Sequence, residues 1–292
     1  MLNEECLSLH SAFSIPHSAF KKSLFLHSIC KVMNILYQLN DEDCFFPPAN
    51  RANPDGLLAF GGDLSPQRLI VAYANGIFPW YSENEPILWW SLDPRLIMRP
   101  GEMRISKSLK RTMKSGKFEV RIDTNFREVM LHCADTPRKN QDGTWIMDEM
   151  IEAYCHLHEL GLAHSFETYQ NGELVGGLYG VSIGKVFFGE SMFHTVTDAS
   201  KVAFYHLHRF LEEHDFKLID CQQETSHLMS LGAYSIPRSE FLDELKTLTN
   251  EETLVGHWGT GNWEPMYLNI QQPERLQFRS YNVDEDVSLW DD

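Results

Sequence analysis

The alternation of apolar and polar residues predicts strands and helices along most of the chain, centred on residues 175–193. This stretch reads VGGLYGVSIGKVFFGESMF, two apolar runs separated by a turn at residues 182–184. β-Branched and aromatic residues on both sides of a polar break are typical of a hairpin. The second run, residues 186–193, contains one carboxylate, Glu190. A charge among apolar residues requires a partner, a shifted pKa or a ligand, so Glu190 is a candidate functional residue.

The same patterns predict the elements on either side of this hairpin. Helices are expected after the capping residues Ser65, Ser106, Asp148 and Asp198, the last two ending at Gly161 and at about His214. Further helices are expected at about 125–133 and near 226–231 and 239–248. Strands are expected at 118–122, on both sides of the Asn171-Gly172 turn, and at 216–222. This order of elements indicates an α+β or mixed α/β layered fold.

Composition limits the classes of partner. No apolar run is long enough to span a membrane, and six cysteines without metal-like spacing indicate free thiols in a reducing compartment. A net charge of −16 argues against a protein that coats nucleic acid. Residues 95–117 nevertheless carry eight basic side chains and one acidic side chain. A helix here would place Lys107, Lys110, Arg111 and Lys114 largely on one face, as a solvated surface or a phosphate-binding patch.

The two ends of the chain differ from its middle. Residues 1–32 contain the tetrapeptide His-Ser-Ala-Phe twice, and we expect a poorly ordered extension or a misassigned start ahead of Met33. From Thr247 to Asp292, nine acidic residues accompany two arginines. We expect this acidic tail to have weak or independent order beyond Thr249.

The strand at 216–222 carries a second candidate site. Alternation places Asp220 and Gln222 on one face, with Ile219 and Cys221 on the other. The acid and the amide form either a small polar site or a structural hydrogen-bonded pair, and the pattern favours neither. For Glu190 one alternative is structural, as the partner of an arginine or the acceptor of backbone hydrogen bonds. The other is a role in binding an ammonium or polarising a reacting group.

Ten short motifs occur in order within residues 33–248. They are GLLA at Gly56, GGDLS at Gly61, GIFPW at Gly76, WW at Trp89, DPR at Asp93, GTWI at Gly143, FGESMF at Phe188, ASK at Ala199, LIDCQ at Leu218 and SLG at Ser230. This set closely resembles the bacterial leucyl/phenylalanyl-tRNA–protein transferases. The resemblance implies a small N-terminal domain at 33–95 and a domain of the GCN5-related acetyltransferase (GNAT) fold at 96–248, followed by the acidic tail at 249–292.

The resemblance also implies a reaction. Leu or Phe, and Met less well, would be transferred from aminoacyl-tRNA to the α-amine of proteins with N-terminal Arg or Lys, which marks those proteins for N-degron degradation. The chain lacks the Q/R-x-x-G-x-G/A loop that holds acyl-CoA pyrophosphate in ordinary GNAT enzymes. This absence fits a donor other than CoA, and we expect no cofactor and no metal.

The resemblance further implies roles for individual residues. Asp220 would orient Gln222 and is a candidate proton relay, while Glu190 would lie at the rim of the amino-acid pocket. The terminal adenosine would pack on Trp80 and Trp145. The expected pocket walls are Leu178, Phe187, Leu207, Leu211 and Ile219. The expected ligands of the tRNA phosphates are Lys107, Lys110, Arg111 and Lys114.

Two other functions remain as alternatives at this point. One is a CoA-dependent N-acetyltransferase of the same fold, and the other is a tRNA-binding module without catalysis. For the transferase we expect a cytoplasmic monomer whose partners are aminoacyl-tRNA and substrate proteins, with no membrane contact.

Overall fold

The computed structural model describes residues 36–136 and 146–272. The described residues from Tyr37 onward belong to one compact unit. Within them, no helix has both the length and the apolarity needed to cross a bilayer. The predicted extension at 1–32 and the last part of the predicted tail lie outside the described residues. The predicted boundary between a domain at 33–95 and one at 96–248 stays a prediction.

The predicted helices and the strands predicted between residues 118 and 222 occur in the predicted order, and further strands lie before residue 99 and after residue 233. The described strands are β1 (Tyr37–Leu39), β2 (Leu57–Gly61), β3 (Phe78–Pro79), β4 (Leu88–Trp90), β5 (Arg95–Met98), β6 (Glu119–Ile122), β7 (Ala163–Gln170), β8 (Glu173–Ile183), β9 (Val186–His194), β10 (Leu218–Gln222), β11 (Tyr234–Ile236), β12 (Thr253–His257) and β13 (Asn262–Met266). The described α-helices are α1 (Pro66–Ala74), α2 (Lys107–Lys114), α3 (Phe126–Asp135), α4 (Asp148–Glu159), α5 (Ala199–Glu213), α6 (Ser226–Leu231) and α7 (Arg238–Leu248).

A mixed sheet forms the centre of the described structure. Its strand order is β11-β5-β10-β9-β8-β7-β6, and among these strands the neighbours are antiparallel apart from β9 and β10, which are parallel. A smaller sheet, β1-β2-β4-β3, belongs to the N-terminal part. This arrangement confirms the α+β class with a small N-terminal domain.

Alternation along β8 sends neighbouring side chains into two separate cores. Tyr179 joins the core on the side of α1, α3 and α4, whereas Leu178 joins the core on the side of α5. Gly176 in β8 lies close to a helix, because a Cβ at this position would lie 2.6 Å from the Cβ of Ala199 in α5. The absence of a side chain at Gly176 therefore lets α5 pack on the sheet.

Helix capping follows the sequence at two sites and departs from it at two others. The predicted caps at Ser65 and Ser106 are confirmed, since Ser106 Oγ accepts from Leu109 N at 3.1 Å. Asp198 holds the N-cap position of α5, but its side chain accepts no hydrogen bond from the first turn's backbone. Its carboxylate instead accepts from Thr112 Oγ1 at 3.1 Å and Lys201 Nζ at 2.9 Å. At α4 the predicted cap, Asp148, is the first helical residue instead.

The expectation of weak order beyond Thr249 is wrong for residues up to 272. Strands β12 and β13 pair as a hairpin, and Trp258 beside them is buried in the core on the α5 side. The Trp258 ring stacks on His164 at 3.5 Å and on Phe210 at 4.5 Å between ring centroids. Its backbone N–H donates to the buried carboxylate of Asp123 at 2.9 Å. The acidic composition of the tail concealed these apolar anchors.

Because Trp258 fills the core, we expect Trp258→Ala to lower the free energy of unfolding by about 3–5 kcal/mol. Urea denaturation followed by circular dichroism measures this loss. The matched control is Trp263→Ala, which truncates a half-buried tryptophan of the same hairpin and should cost less. A loss no larger than that of the control would contradict the anchoring role.

Candidate active site

The central sheet opens where β9 and β10 stop pairing. These parallel strands pair from Leu218–Val186 to Asp220–Phe188. Beyond this point β9 continues along β8, while β10 departs from regular strand geometry at Gln222. A cavity of about 510 Å³ lies here, lined in part by residues 189–192 of β9 and by residues 221–223. The end of the strand pairing thus creates the space for a ligand.

Most of the cavity wall is apolar. The predicted wall residues Leu178, Phe187, Leu207 and Ile219 line the cavity, are almost fully buried, and belong to the core on the α5 side. Further apolar lining residues that the sequence did not reveal are Phe78, Leu92, Met192, Phe204 and Leu228. A wall of this kind suits an apolar side chain of the ligand.

The remaining predicted pocket residues have different outcomes. Trp80 lines the cavity, and its ring packs against that of Trp90 at 5.6 Å between centroids. Leu211 is fully buried in the core beneath and is not among the described lining residues. Trp145 lies outside the described residues.

A carboxylate and an amide meet in the cavity. Gln222 Nε2 donates to Glu190 Oε1 at 2.7 Å, and both residues line the cavity. An ionised carboxylate accepts hydrogen bonds but cannot donate them, so the amide nitrogen faces Glu190. Gln222 Oε1 accepts no hydrogen bond from the described residues and is available to a ligand. Among the described residues, no lysine or arginine pairs with Glu190 and no backbone N–H donates to its carboxylate, which argues against the structural alternative.

Asp220 does not line the cavity beside Gln222, contrary to the predicted alternation. It is fully buried and forms a bidentate ion pair with Arg95, at 2.8 Å from Nε to Oδ1 and 2.6 Å from Nη2 to Oδ2. The strand contains a bulge between Asp220 and Gln222, and Gln222 has a left-handed φ of 60°. A bulge breaks the two-residue period, so Ile219, Cys221 and Gln222 all line the cavity. Asp220 still contacts Gln222, because Oδ1 accepts from its backbone N–H at 2.9 Å.

Two tyrosine hydroxyls support Glu190 from the other side. Tyr154 donates to Glu190 Oε2 at 3.4 Å, and its hydroxyl also forms a hydrogen bond with that of Tyr73. Burial raises the pKa of Glu190 to about 7, although hydrogen bonds from Tyr73 and Gln222 oppose the shift. Burial, followed by the nearby charge of Glu190, raises the pKa of both tyrosines, so they remain neutral donors. Glu190 can therefore hold or release a proton near neutral pH.

This arrangement suits the binding and orientation of an amine next to an apolar group. Gln222 Oε1 can accept from an N–H group, and the carboxylate of Glu190 provides a second acceptor. Covalent catalysis by Cys221 is disfavoured, because burial raises the pKa of its thiol and keeps it protonated. The site therefore favours positioning of two bound reactants over a covalent intermediate.

Comparison with known proteins identifies the family. A profile described as leucyl/phenylalanyl-tRNA protein transferase matches residues 97–246, and a profile of its N-terminal domain matches residues 62–93. The leucyl/phenylalanyl-tRNA–protein transferase of Solidesulfovibrio magneticus is 57% identical over 223 residues, which cover 76% of this chain and 90% of that protein. The chain belongs to the leucyl/phenylalanyl-tRNA–protein transferase family.

Another member of this transferase family, from Nitrosospira multiformis, is 57% identical over 210 residues, covering 71% of this chain and 90% of that protein. Among solved structures, L-PGS from Bacillus licheniformis aligns at a TM-score of 0.31 and 10% identity over 64% of each chain, too weakly to bear on the fold. The family match does not favour the acetyltransferase alternative. Glu190 and Gln222 lie in the matched transferase segment, and Tyr73 and Trp80 lie in the matched N-terminal segment.

The predicted basic patch of the transferase lies on α2. Lys107, Lys110, Arg111 and Lys114 are all exposed, and none forms an ion pair with a carboxylate in the described part of the chain. The buried side of the same helix, at Leu109, belongs to the core that also supplies the cavity wall. The patch is therefore attached rigidly to the structure around the cavity.

The sequence did not reveal three residues of the polar network around Glu190 and Gln222, namely Tyr73, Tyr154 and Arg95. Tyr73 and Tyr154 lie on the apolar, buried faces of α1 and α4, although a buried tyrosine hydroxyl usually has a hydrogen-bond partner and so signals a polar neighbour. Arg95 was counted with the basic segment that begins there. Its partner, Asp220, is 125 residues away, so no local pattern could reveal the pair.

We expect Tyr154→Phe to move the titration midpoint of Glu190 above the wild-type value of about 7, because this substitution removes a hydrogen bond to the ionised carboxylate. NMR of the ¹³C-labelled glutamate carboxyl groups against pH measures the midpoint. Tyr267→Phe serves as the control, since this exposed hydroxyl has no hydrogen bond to the described residues. An unchanged midpoint in Tyr154→Phe, or a wild-type midpoint near the usual ~4.3, would contradict the network.

Proposed function

We propose that this chain transfers Leu or Phe, and Met less well, from aminoacyl-tRNA to the α-amine of proteins that begin with Arg or Lys. In the cytoplasm this transfer marks those proteins for N-degron degradation. The observation that carries the proposal is the apolar cavity in which the Glu190–Gln222 pair is exposed to a ligand. An aminoacyl ester with an apolar side chain and an incoming amine match this combination of surfaces.

The reaction requires little acid–base chemistry from the protein. The nitrogen of the α-amine bonds to the ester carbonyl carbon, the bond from that carbon to the ribose oxygen of the tRNA breaks, and one amine proton passes to that oxygen. A free α-amine has a pKa of about 7.7–8.0, so a substantial fraction is neutral at physiological pH. Holding amine and ester in the reactive geometry is then the larger contribution to the rate.

In this proposal Gln222 and Glu190 orient the amine. Gln222 Oε1 accepts one N–H of the incoming amine, which directs the nitrogen lone pair towards the ester. Glu190 keeps the amide in that orientation through the 2.7 Å hydrogen bond from Nε2. The pKa of Glu190, about 7, lets its carboxylate accept the amine proton as the amine reacts and release it again for the departing ribose oxygen. Asp220 orients Gln222 through the backbone N–H; its complete burial against Arg95 leaves the proton relay to other groups.

The aminoacyl side chain and the tRNA occupy different surfaces in this proposal. Leu178, Phe187, Leu207 and Ile219 enclose the Leu or Phe side chain, and Trp80 packs against the terminal adenosine. The four basic residues of α2 bind acceptor-stem phosphates, which gives affinity without reading sequence.

We also propose a GNAT-like fold for residues 96–248. The mixed central sheet, whose parallel strands β9 and β10 part to form the cavity, supports this assignment. The absence of an acyl-CoA pyrophosphate loop from the sequence fits a tRNA-linked donor. The N-terminal domain at 33–95 contributes Tyr73 and Trp80 to the site.

The purified protein, incubated with Phe-tRNA and a peptide that begins with Arg, should form the Phe–Arg peptide. Mass spectrometry detects the product; an N-acetylated peptide, or acetyl-CoA in place of Phe-tRNA, should give none. Gln222→Ala should lower kcat on the order of 100-fold while tRNA binding is kept, because the amine then has no acceptor at this position. The control Gln170→Ala, at the end of β7, should leave kcat unchanged. No product from the wild type would refute the proposed reaction.

Replacing Lys107, Lys110, Arg111 and Lys114 with alanine should weaken tRNA binding, most strongly at low salt. The slope of log K against log salt should fall by about one for each phosphate that the variant no longer binds. Filter binding with deacylated tRNA measures both effects. Lys246→Ala, which removes an exposed lysine of α7, is the control. Equal salt slopes for the wild type and the fourfold variant would exclude these residues from phosphate binding.

A further inference from the structure

We propose that Arg95 is a positioning residue for the transfer reaction. Arg95 sets the conformation of Gln222 through Asp220. This inference rests on the proposed function, in which Gln222 orients the amine. Arg95 is fully buried and is not among the described residues that line the cavity. It therefore acts through its neighbours and not on the substrate.

The guanidinium of Arg95 is held on several sides. Two of its nitrogens bind the two carboxylate oxygens of Asp220, at 2.8 Å and 2.6 Å. A third, Nη1, donates to the carbonyl oxygen of Gly76 at 3.2 Å. The rings of Phe78 and Phe241 lie 4.9 Å and 4.7 Å from its central carbon. Such a planar, enclosed guanidinium fixes the orientation of the carboxylate that it binds.

The orientation of Asp220 determines the backbone at Gln222. Oδ1 of Asp220 accepts both from Arg95 Nε and from the backbone N–H of Gln222 at 2.9 Å. Gln222 has a left-handed φ of 60°, a conformation that costs a non-glycine residue free energy and persists only where its surroundings enforce it. The hydrogen bond from Gln222 to Asp220 supplies that enforcement. If Asp220 rotates, the backbone at Gln222 relaxes and its side chain leaves Glu190.

Arg95 also joins separate parts of the chain around the cavity. It belongs to β5 and contacts Gly76 after α1, Asp220 in β10 and Phe241 in α7. The neighbouring residue Phe78 contacts Arg95 and also lines the cavity. A buried ion pair is weak evidence for stability, since apolar replacements of similar volume are often equally stable. The Arg95–Asp220 pair is connected directly to Gln222 by a hydrogen bond, so the role that we assign to this pair is positioning.

A double-mutant cycle on kcat tests this role. Arg95→Met and Asp220→Asn should each lower kcat on the order of 10- to 100-fold with little change in KM for Phe-tRNA, because a displaced Gln222 orients the amine poorly. If Arg95 acts through Asp220, the double variant should be no slower than the slower single variant. Losses that multiply in the double variant, or a wild-type kcat in Arg95→Met, would overturn the proposal.

A second buried arginine provides the control that distinguishes a loss of stability from a loss of positioning. Arg68 is 1% exposed and is bound to Asp63, and Arg68→Met should lower thermal stability while leaving kcat near that of the wild type. If Arg95→Met does not fold, Arg95→Lys is used instead, with a smaller fall in kcat expected because one charged hydrogen bond to Asp220 can remain. An equal fall in kcat for Arg68→Met would show that the effect is structural.

A measurement that does not require turnover distinguishes failure of this proposal from failure of the proposed function. Gln222 donates to the ionised carboxylate of Glu190, so breaking that hydrogen bond should raise the NMR titration midpoint of Glu190. Arg95→Met should raise the midpoint as Gln222→Ala does, and Arg68→Met should not. Absence of transfer by the wild type would refute the function, whereas an unmoved midpoint in Arg95→Met would refute the positioning role.

Discussion

The site depends on the point at which the parallel strands β9 and β10 cease to pair. Regular pairing beyond Asp220–Phe188 would close the sheet and fill the cavity with backbone. The bulge and the left-handed conformation of Gln222 prevent this closure. The free energy that this irregularity costs is offset by the buried contacts of Asp220 with Arg95 and with the backbone of Gln222. The cavity and the Glu190–Gln222 pair that lines it thus both depend on the end of the β9–β10 pairing.

The two acidic residues of the site, Asp220 and Glu190, have different surroundings. Asp220 has a bidentate arginine partner, whose two hydrogen bonds fix the orientation of its carboxylate. Glu190 has neutral donors from tyrosine and glutamine instead, and burial raises its pKa to about 7. The same functional group therefore orients the backbone of Gln222 in one position and contacts the cavity in the other.

Sequence reasoning succeeded where the determinants are local. Ser106 caps α2 through contacts three residues apart, and Glu190 was conspicuous because apolar residues surround it in the chain. It failed where contacts between residues far apart in the sequence determine the structure. Alternation assumes a regular strand, so the face of Asp220 was assigned incorrectly. Composition averages concealed Trp258 in an acidic tail and Arg95 in a basic segment, although both are buried.

The packing of Trp258 has a consequence for the timing of synthesis. Its ring lies 6.2 Å from that of Phe187, a wall residue of the cavity, and both belong to one core. A ribosome makes Phe187 well before Trp258, so the wall stands without its support while the chain is still emerging. The nascent protein thus acquires a complete pocket late in translation. Chains that terminate before Trp258 would lack that support for the cavity wall.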